Sequence, residues 1–196
     1  MESIEQHRKE NKLQKLLGKQ FLITAYIESR LQLVNYIKEG YDDNLSILIN
    51  SRFLHFTAHT FYRSVIVDLF SLFGKPGKEN RYSLLQINSD CSQFLNKQCI
   101  DDVAKLLSNC QDDIATITKL RHNQIAHFNF EQNEGISLDF DNLDILNTLF
   151  KTAVKIITMC GESFLAEEDR TGYDFERESQ YIRSLEKLIG KANGHK

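Results

Sequence analysis

The cleanest apolar pattern in this chain lies in residues 99–121, CIDDVAKLLSNCQDDIATITKLR. Its apolar side chains follow one another at steps of three, four, three, four and three: Ile100, Val103, Leu107, Cys110, Ile114 and Ile117. This spacing places them on one face of an α-helix, which turns once every 3.6 residues. The pattern therefore predicts a long helix with one buried face, and the next step of four falls on Arg121.

Similar spacing predicts helices along most of the chain. They extend over residues 3–39, 45–73, 139–165 and 174–191, with a short helix over 83–88. Gly18 leaves open whether the first helix is continuous, bent or split in two. The chain has one proline and nine glycines, and no alternating run is long enough to predict a sheet. We therefore expect an all-α fold, a bundle of four to five helices.

The 196 residues suit one domain of ordinary size. Residues 1–165 contain the long predicted helices and are expected to form the bundle. Residues 166–196 contain an acidic link and an amphipathic helix, which either belong to the same domain or lie at its periphery.

Composition and charge exclude several classes of protein. The net charge of −3 is opposite in sign to that of a general nucleic-acid coat, so any contact with nucleic acid must be local. The four cysteines match no zinc pattern and no nucleotide-binding glycine motif occurs, so no cofactor is expected. The charged N-terminus is unlike a signal peptide, and no apolar run approaches the roughly 18 residues of a membrane span. We expect a cytoplasmic protein with no membrane partner.

Arg121 and His127 are the candidate catalytic residues. A guanidinium in phase with a core stripe is costly unless it is paired or placed for use; alternatively, the stripe ends at Ile117 and Arg121 is exposed or carboxylate-paired. His127 could transfer protons near neutral pH, or simply pack near a helix C-terminus. Six residues on a straight helix separate the two side chains by about 120°, so joint action needs a bent helix or a second subunit.

The sequence LRHNQIAHFN at residues 120–129 resembles the signature of the HEPN domain family (higher eukaryote and prokaryote nucleotide-binding). In that signature an arginine and a polar residue precede a histidine, with four to six residues between arginine and histidine. Five intervene here between Arg121 and His127, and His122 is the polar neighbour. The ending Ile-Ala-His and the apolar segment FYRSVIVDLF at 61–70 resemble the abortive-infection (AbiU-like) subgroup. The resemblance covers roughly residues 10–165.

The resemblance implies a metal-independent endoribonuclease that acts as a homodimer, in phage defence or in a system like a toxin–antitoxin pair. Arg121 would bind the phosphate and stabilise its growing charge, His127 would transfer protons, and His122 would support them. The implied partners are RNA or a nucleotide and a second copy of the chain, with an antitoxin protein left open. The alternatives are a non-catalytic HEPN-type module that binds nucleotide, RNA or a protein, and a plain helical interaction domain with a chance motif match.

A polar stripe in the second predicted helix is a further candidate site. Its members follow at steps of three, four and four: Arg52, His55, His59 and Arg63. They could form a basic wall that contacts RNA phosphates, or they could be the solvent-facing edge of a buried helix. His55 and His59 have the spacing of helical metal ligands, but Phe56 stands where a zinc protease has its general base, so no metal site is expected.

Overall fold

The computed structural model describes residues 2–42, 50–78, 80–90, 92–122, 140 and 142–164. All regular structure in these ranges is helical, and no strand occurs among them. The α-helices are α1 (Glu2–Asp42), α2 (Arg52–Phe73), α3 (Leu85–Asp90), α4 (Lys97–Asn109), α5 (Gln111–Leu120) and α6 (Leu143–Phe164), and a 3₁₀ turn spans Ser92–Phe94. The helices pack together, which confirms the predicted all-α bundle.

The core lies where α1, α2 and α6 meet. α1 packs against α2 and α6, α2 also packs against α5 and α6, and α4 packs against α6. Fully buried side chains in these helices include Leu13, Ile27, Leu31 and Ile37 of α1, Ile66, Leu69, Leu72 and Phe73 of α2, Ile117 of α5, and Leu146, Leu149 and Ile156 of α6. Burying one such side chain contributes about 1.5–3 kcal/mol, so this shared core holds α5 against α2.

α1 and α2 run in opposite directions. Arg30 of α1 forms an ion pair with Asp68 of α2. Gln20, which precedes Arg30 in α1, donates from Nε2 to the carbonyls of Tyr82 and Ser83, which follow the end of α2. Since an earlier residue of α1 meets a later part of the chain, the two helices are antiparallel, and the C-terminal half of α2 lies against the middle of α1.

Two predicted helices are interrupted, and there the prediction was wrong. Residues 45–49 of the expected helix 45–73 lie outside the described residues, and its described part is interrupted at Ser51, whose backbone is extended (φ −89°, ψ 97°) and whose hydroxyl accepts a hydrogen bond from the Leu54 N–H. The expected helix 99–121 breaks at Cys110 (φ −107°, ψ 20°), so that α4 and α5 take its place. Serine favours a helix start because its oxygen satisfies an N–H that lacks a helical partner.

The apolar stripe of residues 99–121 faces the core on both sides of the interruption at Cys110. Val103, Leu107, Cys110 and Ile117 are buried, and Ile100 and Ile114 pack against the same core while half-buried. The predicted inward face is therefore confirmed, although the backbone that carries it is not one continuous helix.

The ends of other helices differ from the predicted ones by a few residues. α1 is one helix that passes through Gly18 and extends beyond the predicted end at residue 39 to Asp42. α6 begins at Leu143 rather than at residue 139, because Asn142 has a left-handed backbone (φ 70°), which asparagine tolerates better than most residues. The short helix expected over 83–88 is α3.

Residues 165–196 lie outside the described residues, and with them the predicted helix 174–191. The boundary between a bundle of residues 1–165 and a segment of residues 166–196 therefore stays a prediction. None of the helices that the structure describes is both long and apolar enough to cross a membrane.

Candidate functional site

The end of α5 positions the candidate catalytic arginine. Leu120 is the last residue of α5, and the Arg121 N–H donates to the carbonyls of Ile117 and Thr118. Arg121 and His122 then continue the chain in a wider π-helical turn, a local geometry that is frequent at functional sites. The helix thus leaves straight α-helical geometry where the apolar stripe gives way to a charge.

The Arg121 side chain lies over an aromatic ring of α2. Its guanidinium carbon is 4.6 Å from the centre of the Phe70 ring, and the residue is half-buried. Such cation–π contacts contribute roughly 0.5–2 kcal/mol, with the larger values where water is excluded. Arg121 therefore follows the direction of the stripe onto α2, and an aromatic face accommodates its charge at the edge of the core.

The Phe70 ring is positioned by its packing against the core. It is half-buried and packs against the core, next to the fully buried Leu69. α2 ends shortly afterwards at Gly74, whose N–H donates to the Phe70 carbonyl at 2.8 Å. A Cβ at Gly74 would stand 2.6 Å from that carbonyl oxygen, closer than real Cβ atoms approach. The chain can therefore pass this close to the Phe70 carbonyl only with glycine at position 74, where α2 ends.

His122 contacts the same ring from another side. Its imidazole centre is 6.5 Å from the centre of the Phe70 ring, with the two planes inclined by 71°, and the residue is exposed. Arg121 and His122 therefore share Phe70, which the sequence reasoning missed as a site residue. The available signal was its position as the last residue of the apolar segment FYRSVIVDLF at 61–70.

His127 lies outside the described residues, so its pairing with Arg121 stays a prediction. The angle of 120° expected between the two side chains assumed a straight α-helix. The π-helical turn at Arg121 and His122 removes that assumption.

The four residues of the polar stripe of α2 differ in their exposure to solvent. Arg52 is exposed, His55 is buried, and His59 and Arg63 are half-buried. The His59 ring packs edge-on against Phe140 at 5.0 Å between centres. Burial also lowers the pKa of Arg63, because it removes water from the charged guanidinium. The stripe therefore crosses the boundary between core and surface, with its two arginines nearer to solvent than His55.

Asp68 is the one carboxylate in α2, and it faces α1 rather than Arg121. Burial raises its pKa, since the ionised form loses water, while the Arg30 guanidinium and its hydrogen bond lower the pKa and offset only part of this increase. The negative charge of α2 is therefore engaged with Arg30 on the α1 side, and the cationic groups of α2 lie elsewhere on the helix.

Two phenylalanines near the start of α2 point into solvent. Phe53 is 73% exposed and Phe56 is 66% exposed. They were not among the predicted site residues. The signal that could have identified them is their helical phase, which is opposite to that of the buried residues Ala58, Val65 and Leu69.

Comparison with protein-family models, with curated proteins and with solved structures gives no match to this chain. Within the described ranges, no group of three or more His, Cys, Asp or Glu side chains could hold a metal ion. The fold and the site thus define an all-α helical bundle in which one arginine near a helix end is stacked on a neighbouring helix.

Proposed function

We propose that this protein is a metal-independent endoribonuclease of the HEPN type, in which Arg121 binds the reacting phosphate. The contact between Arg121 and Phe70 carries the proposal. The planar guanidinium fork matches two phosphate oxygens, and a ring beneath it restricts its motion. Phosphate binding would explain why an arginine stands in phase with the apolar core stripe.

The proposed chemistry uses the nucleophile that RNA itself carries. The 2′-hydroxyl attacks the adjacent phosphorus, a P–O2′ bond forms and the P–O5′ bond breaks, which yields a 2′,3′-cyclic phosphate and a 5′-hydroxyl. His127 accepts the proton of the 2′-hydroxyl or donates one to the leaving 5′-oxygen, and Arg121 stabilises the charge that develops on the phosphate. His122, which contacts the same Phe70 ring as Arg121, supports the pair. No cofactor takes part.

The proposal extends to a cytoplasmic homodimer that acts in phage defence or in a system like a toxin–antitoxin pair, with an antitoxin protein as its regulator. A second subunit would bring another Arg121 and His127 to the same cleft. The net charge of −3 is compatible with this proposal, because single-stranded RNA is recognised through local contacts and stacking.

A second candidate function is a non-catalytic module that binds RNA or a nucleotide. The Arg121–Phe70 contact also favours this function, since an arginine stacked on a ring can hold a phosphate without a group that transfers protons.

Two substitutions separate these functions. In an endoribonuclease, Arg121→Ala and His127→Ala each reduce RNA cleavage by at least about a hundredfold, the typical cost of one transition-state donor, while the helical content is kept. Arg81→Ala, at an exposed arginine beyond α2, is the control and keeps full activity. In a binding module no form cleaves RNA and Arg121→Ala weakens binding. If all three variants cleave or bind RNA like the wild type, the motif match is chance.

A further inference from the structure

The exposed phenylalanines of α2 lie in line with the Arg121 site. Phe56, Arg63 and Phe70 follow at steps of seven along α2, and residues seven apart on a straight α-helix differ in direction by only about 20°. Phe53 lies one turn before Phe56. One edge of α2 therefore carries, in order, two exposed rings, a half-buried guanidinium, and the ring on which Arg121 is stacked. From Phe56 to Phe70 the helix rises about 21 Å, a distance that several nucleotides of a single strand can span.

The exposed part of this edge favours stacking over hydrogen bonding. The Thr57 hydroxyl donates to the Phe53 carbonyl, and the Thr60 hydroxyl donates to the Phe56 carbonyl, each at 2.8 Å. Both threonine hydroxyls are therefore hydrogen-bonded to the backbone of α2. The two rings therefore stand on a surface whose neighbouring hydroxyls already donate within the helix, and aromatic rings stack on every type of base.

The charge of this edge suits a polyanion. Arg52 is exposed beside Phe53, the first turn of α2 has no acidic residue, and the start of the helix carries partial positive charge. Asp68 is paired with Arg30 on the α1 side. An apolar protein partner would have no need of a cationic row that continues to Arg121, whereas a nucleic-acid strand would use both the rings and the charges.

We propose that Phe53 and Phe56 form a base-stacking platform for single-stranded RNA, which continues along α2 through Arg63 to the phosphate bound at Arg121. This rests on the RNA-binding part of the proposed function. The platform holds the strand some nucleotides away from the reacting phosphate and has little preference for sequence, because it reads no base edges.

The test measures the affinity for a fluorescent single-stranded RNA that carries 2′-O-methyl groups and so cannot be cleaved through its 2′-oxygens, with cleavage of unmodified RNA followed in parallel. Phe53→Ala and Phe56→Ala are each expected to weaken binding roughly tenfold, since base stacking on one ring has about that effect. Phe53→Trp retains the affinity of the wild type, and Phe53→Leu weakens binding as much as Phe53→Ala. Tyr26→Ala, which removes an exposed ring of α1, is the matched control and leaves binding unchanged.

The outcomes separate the platform from the proposed function. Unchanged binding in the Phe53→Ala, Phe56→Ala double variant, with cleavage still lost in Arg121→Ala, overturns the platform alone. Equal binding by Phe53→Leu and wild type also overturns it, and points to an apolar protein partner. A wild type that binds RNA through both rings but does not cleave it supports the platform and overturns the endoribonuclease. A wild type that neither binds nor cleaves RNA overturns both.

Discussion

The guanidinium carbon of Arg121 lies 4.6 Å from the centre of the Phe70 ring, so that a residue just after α5 is coupled to α2. This contact joins the two helices at the candidate site. It also explains how an arginine in phase with an apolar stripe is accommodated without entering the core.

The coupling between Arg121 and Phe70 can be measured as a free energy. Phe70→Leu keeps an apolar side chain but removes the ring, and Arg121→Met keeps much of the length but removes the charge. A double-mutant cycle on the free energy of unfolding in urea should give a coupling of about 0.5–1 kcal/mol between them. Additive effects of the two substitutions would mean that the ring and the charge do not interact.

The stability of the fold should depend on pH through Asp68. Its pKa is raised in the folded protein, so its contribution to stability is full below the unfolded pKa of about 3.9 and is lost as the pH rises through the folded pKa. Relative to Asp68→Asn, the wild type should therefore lose stability as the pH increases from about 4. Urea unfolding of both proteins at a series of pH values measures this difference.

Arg30→Gln provides the control for that measurement. It removes the group that lowers the pKa of Asp68, so the loss of stability should extend to higher pH than in the protein with Arg30. A relative stability that rises with pH would contradict the direction assigned to this pKa.

The thiol of Cys110 should react slowly with alkylating reagents. Burial, and after it the nearby Asp113 carboxylate, raise its pKa to about 11, because both disfavour the thiolate. Since the thiolate is the reactive form, iodoacetamide at neutral pH should modify Cys110 only after denaturant unfolds the chain. Peptide mass spectrometry of the folded and unfolded protein follows this residue, and equal rates in the two states would refute the expected protection.

The cap at Ser51 should contribute to stability where the sequence pattern predicts an unbroken helix. Its hydroxyl accepts a hydrogen bond from the Leu54 N–H at the start of α2. Ser51→Ala should lower the free energy of unfolding by about 0.5–2 kcal/mol, whereas Ser51→Asp, which can also cap a helix, should retain most of it. Equal stability of the alanine and aspartate variants would show that the cap has no energetic role.

Apolar spacing predicted the helices that the structure describes, because helix formation depends on local periodicity, but it left open whether Arg121 continues the apolar stripe or stands beyond its end. It did not predict the interruptions at Ser51 and Cys110, since the apolar pattern runs through both positions although the backbone there leaves α-helical geometry. Phe70 was missed for a different reason. Its contact with Arg121 joins residues far apart in sequence, and only the packing of α5 against α2 brings them together. The exposed rings of Phe53 and Phe56 likewise depend on which face of α2 the other helices cover.

The most direct test of the central claim is cleavage of single-stranded RNA by the purified full chain in excess EDTA, with analysis of the new ends. The account predicts cleavage under these conditions, products with 2′,3′-cyclic phosphate and 5′-hydroxyl ends, and a loss of at least about a hundredfold in Arg121→Ala that keeps its helical fold. Cleavage that requires a divalent metal, or cleavage that Arg121→Ala leaves unchanged, would contradict it.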